Sequence, residues 1–305
     1  MQKNLPHLSF NFDQKLPVEM IPREIEKLAR AGAERLMLDS ALLMQSATDP
    51  LCLKTLQKAL SDNGMTLFDA HAPYEPMDSF GYPAEETDQY FFDTAFRALN
   101  AGKELGVRTM TFHCARTRRV GSMVDQYGVF ETADLEKARS RIMFQLDKIL
   151  PEAEKLEIVI ALENLFLPSS TASFLHSISK KFSHPYLGLN YDSGHALLLE
   201  KQPGKKSEDI AGWIRCGWDD DTVVFQDDQL DIMLDQVVTA HLHDNHGCND
   251  EHLMPGEGIA DWKKIIERLR RAPRLLSLQS EVVSKYFGDE PQAQIIAFRN
   301  CGFEI

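Results

Sequence analysis

The chain has 305 residues, 43% of them apolar, and a formal net charge of -13. That length suits one α/β barrel with a sizeable core, and the acidic balance repels polyanions and disfavours nucleic acid as a partner. No apolar run is long enough to span a bilayer, and the N-terminal MQKNLPHLSF lacks the cationic and apolar blocks of a signal peptide.

Taken in chain order, short β-rich stretches alternate with longer amphipathic ones. The expected strands are LSFNF (8–12), RLMLDS (35–40), TLFDAHA (66–72), VRTMTFHC (107–114), IVIALEN (158–164), YLGLNYD (186–192), VVTAHLHD (237–244) and LLSLQSE (275–281). Four stretches between them and one after the last carry apolar residues at three- and four-residue steps, as amphipathic helices do. These are EIEKLARAGA (24–33), EETDQYFFDTAFRALNAGKELG (85–106), ADLEKARSRIMFQLDKILPEAEKL (133–156), DWKKIIERLRRA (261–272) and QAQIIAFRNCG (292–302). AGAERL and ELGVRT read as helix C-caps that turn into strands.

Eight strand–helix units in this length predict a single (β/α)8 TIM barrel over residues 1–305. An open doubly wound sheet would carry a Gly-rich phosphate loop after an early strand, and the sequence has none. The longest insertion, 201–228, is acidic and holds Trp213 and Trp218. It reads as a surface excursion with one short helix, or as a lid or homo-oligomer contact. The five scattered cysteines suggest reduced thiols and a cytoplasmic protein.

Side chains alternate along a strand, so each barrel strand has a lumen phase and a helix phase. Asp69 and His71 share one phase, as do Thr109, Thr111 and His113, and Glu163 shares its phase with Ala161. Asn190 pairs with Asp192, His241 and His243 flank the helix-facing Leu242, and Gln279 pairs with Glu281. Six strands therefore end in a His, Asp or Glu at the mouth of the barrel, where barrel enzymes build their chemistry. No Lys or Arg holds a matching position. Glu163, Asp192, Glu281 and Asp250 would converge there, and like charges at close range resist joint ionisation unless cations neutralise them. A divalent metal site follows, and a His/carboxylate set accepts zinc, manganese, cobalt or magnesium. DSGH puts His195 three residues after Asp192, across a turn. DEH would face Asp250 and His252 the same way in an extended loop, and GEG (256–258) reads as a flexible turn with Glu257 solvated.

Together, DAHAPY, TFHCA, ALENL, NYDSGHALL, AHLHDNHG with DEHLMPGEGIADW, and LQSEV resemble the xylose isomerase-like barrel superfamily. That group joins endonuclease IV to sugar isomerases and epimerases. Likeness to its single-metal epimerases implies Glu163, Asp192, His241 and Glu281 as the metal shell. Glu163 and Glu281 would also be the acid/base pair, with His195 touching the substrate. Likeness to endonuclease IV implies a trinuclear zinc set from His71, His113, Glu163, Asp192, His195, His241, Asp250, His252 and Glu281. Two features depart from these patterns. DNHGCND lacks the arginine that the epimerases place after the seventh-strand histidine. The loops suit DNA phosphates poorly, the local basic cluster being CARTRRVG with Arg116, Arg118 and Arg119.

The first expectation is thus a metal-dependent isomerase or epimerase of a small-molecule sugar, with one manganese or zinc ion and at most three. The ion would polarise a carbonyl while one glutamate removes the adjacent proton and the other returns it. His243, Tyr74 and Asn164 are further candidates for the mouth. The alternative is an endonuclease IV-like multi-zinc phosphodiesterase acting on abasic DNA. A non-catalytic binding protein would have no use for two opposed glutamates among metal ligands.

Overall fold

The computed structural model describes residues 4–118, 130–131, 134–282 and 291–305. Eight parallel strands close into a barrel: β1 (Leu8–Phe10), β2 (Arg35–Leu38), β3 (Thr66–His71), β4 (Thr109–Phe112), β5 (Val159–Glu163), β6 (Leu187–Asp192), β7 (Val237–Leu242) and β8 (Leu278–Ser280). Each pairs with the next in chain order, and β8 returns to β1 through Leu278–Leu8 and Gln279–Ser9. Each lies inside its expected stretch and loses residues only at its ends.

The helices are α1 (Ile21–Ala31), α2 (Ser40–Thr48), α3 (Pro50–Asp62), α4 (Asp88–Leu105), α5 (Leu135–Leu156), α6 (Ala172–Phe182), α7 (Ser193–Leu199), α8 (Gly212–Arg215), α9 (Gln229–Met233), α10 (Trp262–Leu269) and α11 (Pro291–Cys301). Gly32 (φ 99°) ends α1 and Gly106 (φ 89°) ends α4, at the two C-caps read from the sequence. Periodicity did not reveal α2, α3, α6 and α7. In α2 and α3 the start signal is a cap: Asp39 accepts the Leu42 N–H at 3.0 Å and Asp49 the Leu51 N–H at 2.9 Å. Among the described residues, no helix is long and apolar enough to cross a membrane.

The helix-facing phase of the strands, including Leu36, Met110, Leu162, Leu189 and Leu242, belongs to one buried apolar cluster with the helices. The lumen phase is polar. Ser9 and Thr109 hydroxyls donate to the buried Asp69 carboxylate, while Ser277 and Gln279 donate to Thr239 at 2.8 and 2.9 Å. This layer is the floor beneath the barrel mouth.

The 201–228 insertion is more than a surface excursion. Ile210, Ile214, Trp218 and Val223 form a small core of their own with Phe166, Leu167, Leu198 and Leu199. The Trp218 indole N–H donates to the Phe166 carbonyl at 3.0 Å, tying the insertion to the loop after β5.

Candidate metal centre

The ligand-type side chains meet at the C-terminal ends of β3 to β8. Glu163, at the end of β5, is fully buried and sits at the centre. Its Oε2 lies 3.3 Å from His71 Nε2 and 3.2 Å from His113 Nε2. Its Oε1 lies 3.3 Å from His241 Nδ1 and 3.4 Å from His195 Nδ1. Glu281 Oε2 approaches the same His241 nitrogen at 3.1 Å.

Among the described residues, three groups of ligand atoms result, each with its atoms within 4.8 Å of one another. One is His71, His113 and Glu163; a second is Glu163, Asp192, His241 and Glu281; the third contains His195, His243, Asp250 and His252. Glu163 is shared by the first two. All nine residues singled out in the sequence are therefore brought together, and His243 joins them.

His243 differs from its neighbours in geometry. Its ring stacks on His252 at 3.9 Å with the planes 8° from parallel. An ion sits in the plane of each imidazole that binds it, so two rings stacked face to face do not share one. His243 Nε2 instead lies 3.1 Å from both oxygens of Asp192, which makes His243 the clamp on that carboxylate. Gly194 in α7 makes the space: a Cβ there would fall inside the His243 ring.

The orientation of the other imidazoles is the test of whether an ion fits. A carbonyl oxygen can only accept, so any ring nitrogen bonded to one carries the hydrogen. His71 Nδ1 donates to the Ala72 carbonyl at 2.6 Å, His195 Nδ1 to Asn164 at 3.0 Å and His252 Nδ1 to Glu281 at 2.7 Å. In each neutral ring the Nε2 lone pair is then turned toward a carboxylate: Glu163, Asp250 at 3.4 Å and Asp250 at 3.2 Å respectively. Lone pairs facing each other at these distances need a proton or a cation between them, and a second hydrogen bond that fixes the tautomer is the usual support of a metal-binding histidine. Glu163 Oε1, His241 Nδ1, Asp250 Oδ1 and Glu281 Oε2 are also buried without a hydrogen-bond partner. The donor set fits divalent ions.

Electrostatics agree. Burial alone would raise Glu163, but His241 and His113 outweigh it and hold the carboxyl well below its ordinary range. Burial opposes charge on His195 and His241 too, yet Asp192 and Asp250 raise the first well above normal, and Glu281 and Glu163 do so for the second. Burial would lower His252, but Asp250 carries it up to about 9. Burial dominates at His113 and takes it down to about 4. Metal uptake must displace the imidazole protons. At pH 7.5, titrating metal-free protein with zinc is expected to release protons, read by calorimetry in buffers of different ionisation heat. Apparent affinity should climb as pH rises toward 9, because the folded His252 gives up its proton only there. Proton uptake, or affinity independent of pH, would contradict this assignment.

The remaining polar candidates separate by what they touch. Asn164 is buried and hydrogen-bonds the Asp192 backbone on both sides, at 2.7 and 3.1 Å, so it braces β6 rather than lining the mouth. Asp192 caps α7, accepting the His195 N–H at 2.6 Å, so a helical turn and not a loose one brings His195 back. Asp250 and His252 bring their ligand atoms to one place, 3.2 Å apart, but not through an extended loop, since His252 takes a left-handed conformation (φ 48°). GEG is no loose turn: a Cβ at Gly258 would strike Asn245 O and Asp244 Oδ1, and Glu257 Oε2 accepts the Met254 N–H at 3.2 Å.

A cavity of about 290 Å³ opens onto His71, His113, Glu163, His195, Asp250, His252 and Glu281. Tyr74 and Arg116 line it as well, while Arg119 lies outside the described residues. Asn11, Asp39, Phe166 and Trp213 also line it and were not foreseen. Asn11 and Asp39 follow the last residues of β1 and β2 in the phases of Ser9 and Met37, so the alternation that found the other strand ends would have found them.

A family model described as xylose isomerase-like TIM barrel matches residues 25–293. An uncharacterized protein of Sinorhizobium fredii, y4fM, is 30% identical over 115 residues, which is 37% of this chain and 29% of that protein. The match thus spans under a third of that relative's length. In structure, the chain resembles 3-keto-D-glucoside 4-epimerase YcjR from E. coli, with a TM-score of 0.69, 16% identity, and 96% and 99% of the two chains covered. It also resembles the IolI protein with a bound zinc atom, with a TM-score of 0.64, 15% identity and 96% of each chain covered.

Proposed function

The chain belongs to the xylose isomerase-like TIM barrel family, and from that premise we propose that it is a metal-dependent isomerase or epimerase of a sugar or sugar derivative. The observation that carries this reading is the pair Glu163 and Glu281, whose oxygens approach one His241 nitrogen at 3.3 and 3.1 Å beside a cavity of about 290 Å³. Two carboxylates around one point are what moving a proton between adjacent carbons, or between two faces of one carbon, requires. The likeness to a keto-sugar epimerase supports the same class.

Glu163, Asp192, His241 and Glu281 would hold the principal ion. When bound there, a divalent ion supplies Lewis acidity, which polarises a carbonyl and acidifies the adjacent C–H. Glu163 and Glu281 are both held ionised, the state a general base needs. One would take the proton beside the carbonyl as a carboxylate, while the other, which must first take up a proton from solvent, would deliver that proton to the neighbouring atom or the opposite face, each step worth about 10²–10⁴-fold. The cavity, about 290 Å³ and lined by Glu163, Glu281 and His195, has room for a monosaccharide-sized group beside both carboxylates.

One observation favours a second reading. The His195, Asp250 and His252 group exceeds what a one-ion epimerase uses, and with Glu163 shared it would suit a multi-zinc phosphodiesterase on abasic DNA. Against it stand the net charge of -13 and the cavity lining, where Arg116 is the one Lys or Arg among the described residues. The two readings part in a paired assay on one metal-loaded preparation. Ketohexoses in heavy water are expected to gain carbon-bound deuterium, and an abasic duplex is expected to stay intact at low and high salt. Incision without exchange would reverse the choice.

A further inference from the structure

We infer that Trp213 is a substrate-binding residue whose indole takes the C–H face of a cyclic sugar, an inference that rests on the sugar reading above. Trp213 lies on α8, in the insertion. It is 49% exposed, whereas Trp218 and Trp262, the other two tryptophans, are 5% and 6% exposed. It lines the same cavity as Glu163, His195 and Glu281.

The ring is held in place without being covered. It meets Phe166 edge to face, with centroids 5.0 Å apart and planes at 85°. Its Nε1–H donates to Asn249 Oδ1 at 3.1 Å. Two residues earlier, the Ala211 N–H donates to the Cys248 carbonyl at 2.9 Å. The insertion is therefore stitched to the loop immediately before Asp250 and His252. Its own apolar core, through Ile214 and Trp218, fixes α8 from below. A large aromatic fixed at its edges and left half-exposed beside a polar site has its ordering cost already met before a ligand arrives.

The lining chemistry selects the ligand. Leu165, Phe166 and Trp213 are apolar, while the carboxylates and imidazoles of the same cavity are polar. A cyclic sugar has this division: hydroxyls around its rim and patches of C–H on its faces. The indole face is electron-rich and attracts such C–H groups. An open-chain polyol has no flat face to offer. A nucleobase would also stack on an indole, but a chain of net charge -13 with Arg116 as the one Lys or Arg among the described lining residues has little to hold its phosphates.

The test uses the metal-loaded protein with 3-keto-D-glucosides of differing aglycone, closed rings that keep a free carbonyl. Because the other tryptophans are buried, emission of the unmodified protein should shift saturably with any of these sugars that undergoes proton exchange. Trp213→Ala should raise KM for that sugar at least about tenfold with kcat within about threefold, a loss of binding and not of chemistry. Trp213→Phe keeps a flat ring and should restore KM to within about threefold of the parent. An unchanged KM in Trp213→Ala, or no emission shift with a sugar that is turned over, overturns the inference while leaving the sugar reading intact. If no sugar exchanges a proton, the sugar reading falls and takes this inference with it. An abasic duplex that shifts the emission where sugars do not would assign the ring to a base and overturn it as well.

Discussion

Replacing Glu163 by Gln is expected to lower sugar turnover by at least about 10⁴-fold, the upper range for one positioned acid or base, and to strip bound metal from two ligand groups at once. The reason is its place at the centre. One carboxylate faces His71 and His113 through Oε2, and His241 and His195 through Oε1. Gln keeps the shape but turns an NH₂ toward one of those pairs, setting a donor where an anion stood. The substitution removes a base and a shared ligand together, so the effect exceeds that of losing either alone. It also takes one facing carboxylate from the buried His195 and His241, which keep Asp250 and Glu281, so the metal-free protein should lose less than the roughly 3–5 kcal/mol that follows when a buried charge loses its last partner. Deuterium exchange and bound metal are measured on the same sample. Exchange within an order of magnitude of the parent would remove Glu163 from the mechanism.

Gly194→Ala should be nearly as damaging, although Gly194 touches no substrate and binds no ion. The added methyl would occupy the space of the His243 imidazole. That ring is fully buried, clamps both Asp192 oxygens at 3.1 Å and stacks on His252 at 3.9 Å, so it has nowhere to retreat. Overpacking a filled interior costs about 1–3 kcal/mol, which for a chain of this size lowers Tm by several degrees. Displacing His243 also shifts a residue of each of two ligand groups, Asp192 and His252, so metal affinity should fall with Tm. His243→Ala in the same chain removes the clash but leaves Asp192 a buried carboxylate without its clamp, so metal affinity should stay low and the Tm should not return in full. A Gly194→Ala protein with the parent's melting curve and metal content would show that the ring can move and that the clamp is unimportant.

The barrel was legible because alternation is a strong signal. Each strand carries polar residues in one phase and apolar residues in the other, and in six strands the polar phase ends in a ligand-type side chain. Short helices were less legible. α7, SGHALLL, is buried throughout, so no polar stripe marks it, and α2 and α3 are announced by Asp39 and Asp49 caps rather than by period. Residue type also fails to separate ligand from scaffold within HLHDNHGCNDEH. Asp244 resembles its neighbours in sequence, yet its carboxylate accepts N–H groups of Asn245, Gly256 and Ala260 and the Trp262 indole, each at 3.0 Å. It is the hub that folds the loop, and Gly258 is glycine because it packs against that hub. Trp213 was out of reach for another reason: its place at the cavity depends on hydrogen bonds between the insertion and residues 248–249, and no local pattern encodes them.

The proposed chemistry requires the imidazoles and carboxylates at the barrel mouth to be a metal centre. Elemental analysis of protein purified without added metal tests this most directly, with exchange activity followed before and after chelation. The expected result is at least one divalent ion per chain, lost to chelator together with activity and restored by zinc or manganese. A folded chain that retains no ion, or that exchanges substrate protons undiminished once stripped, would contradict the account.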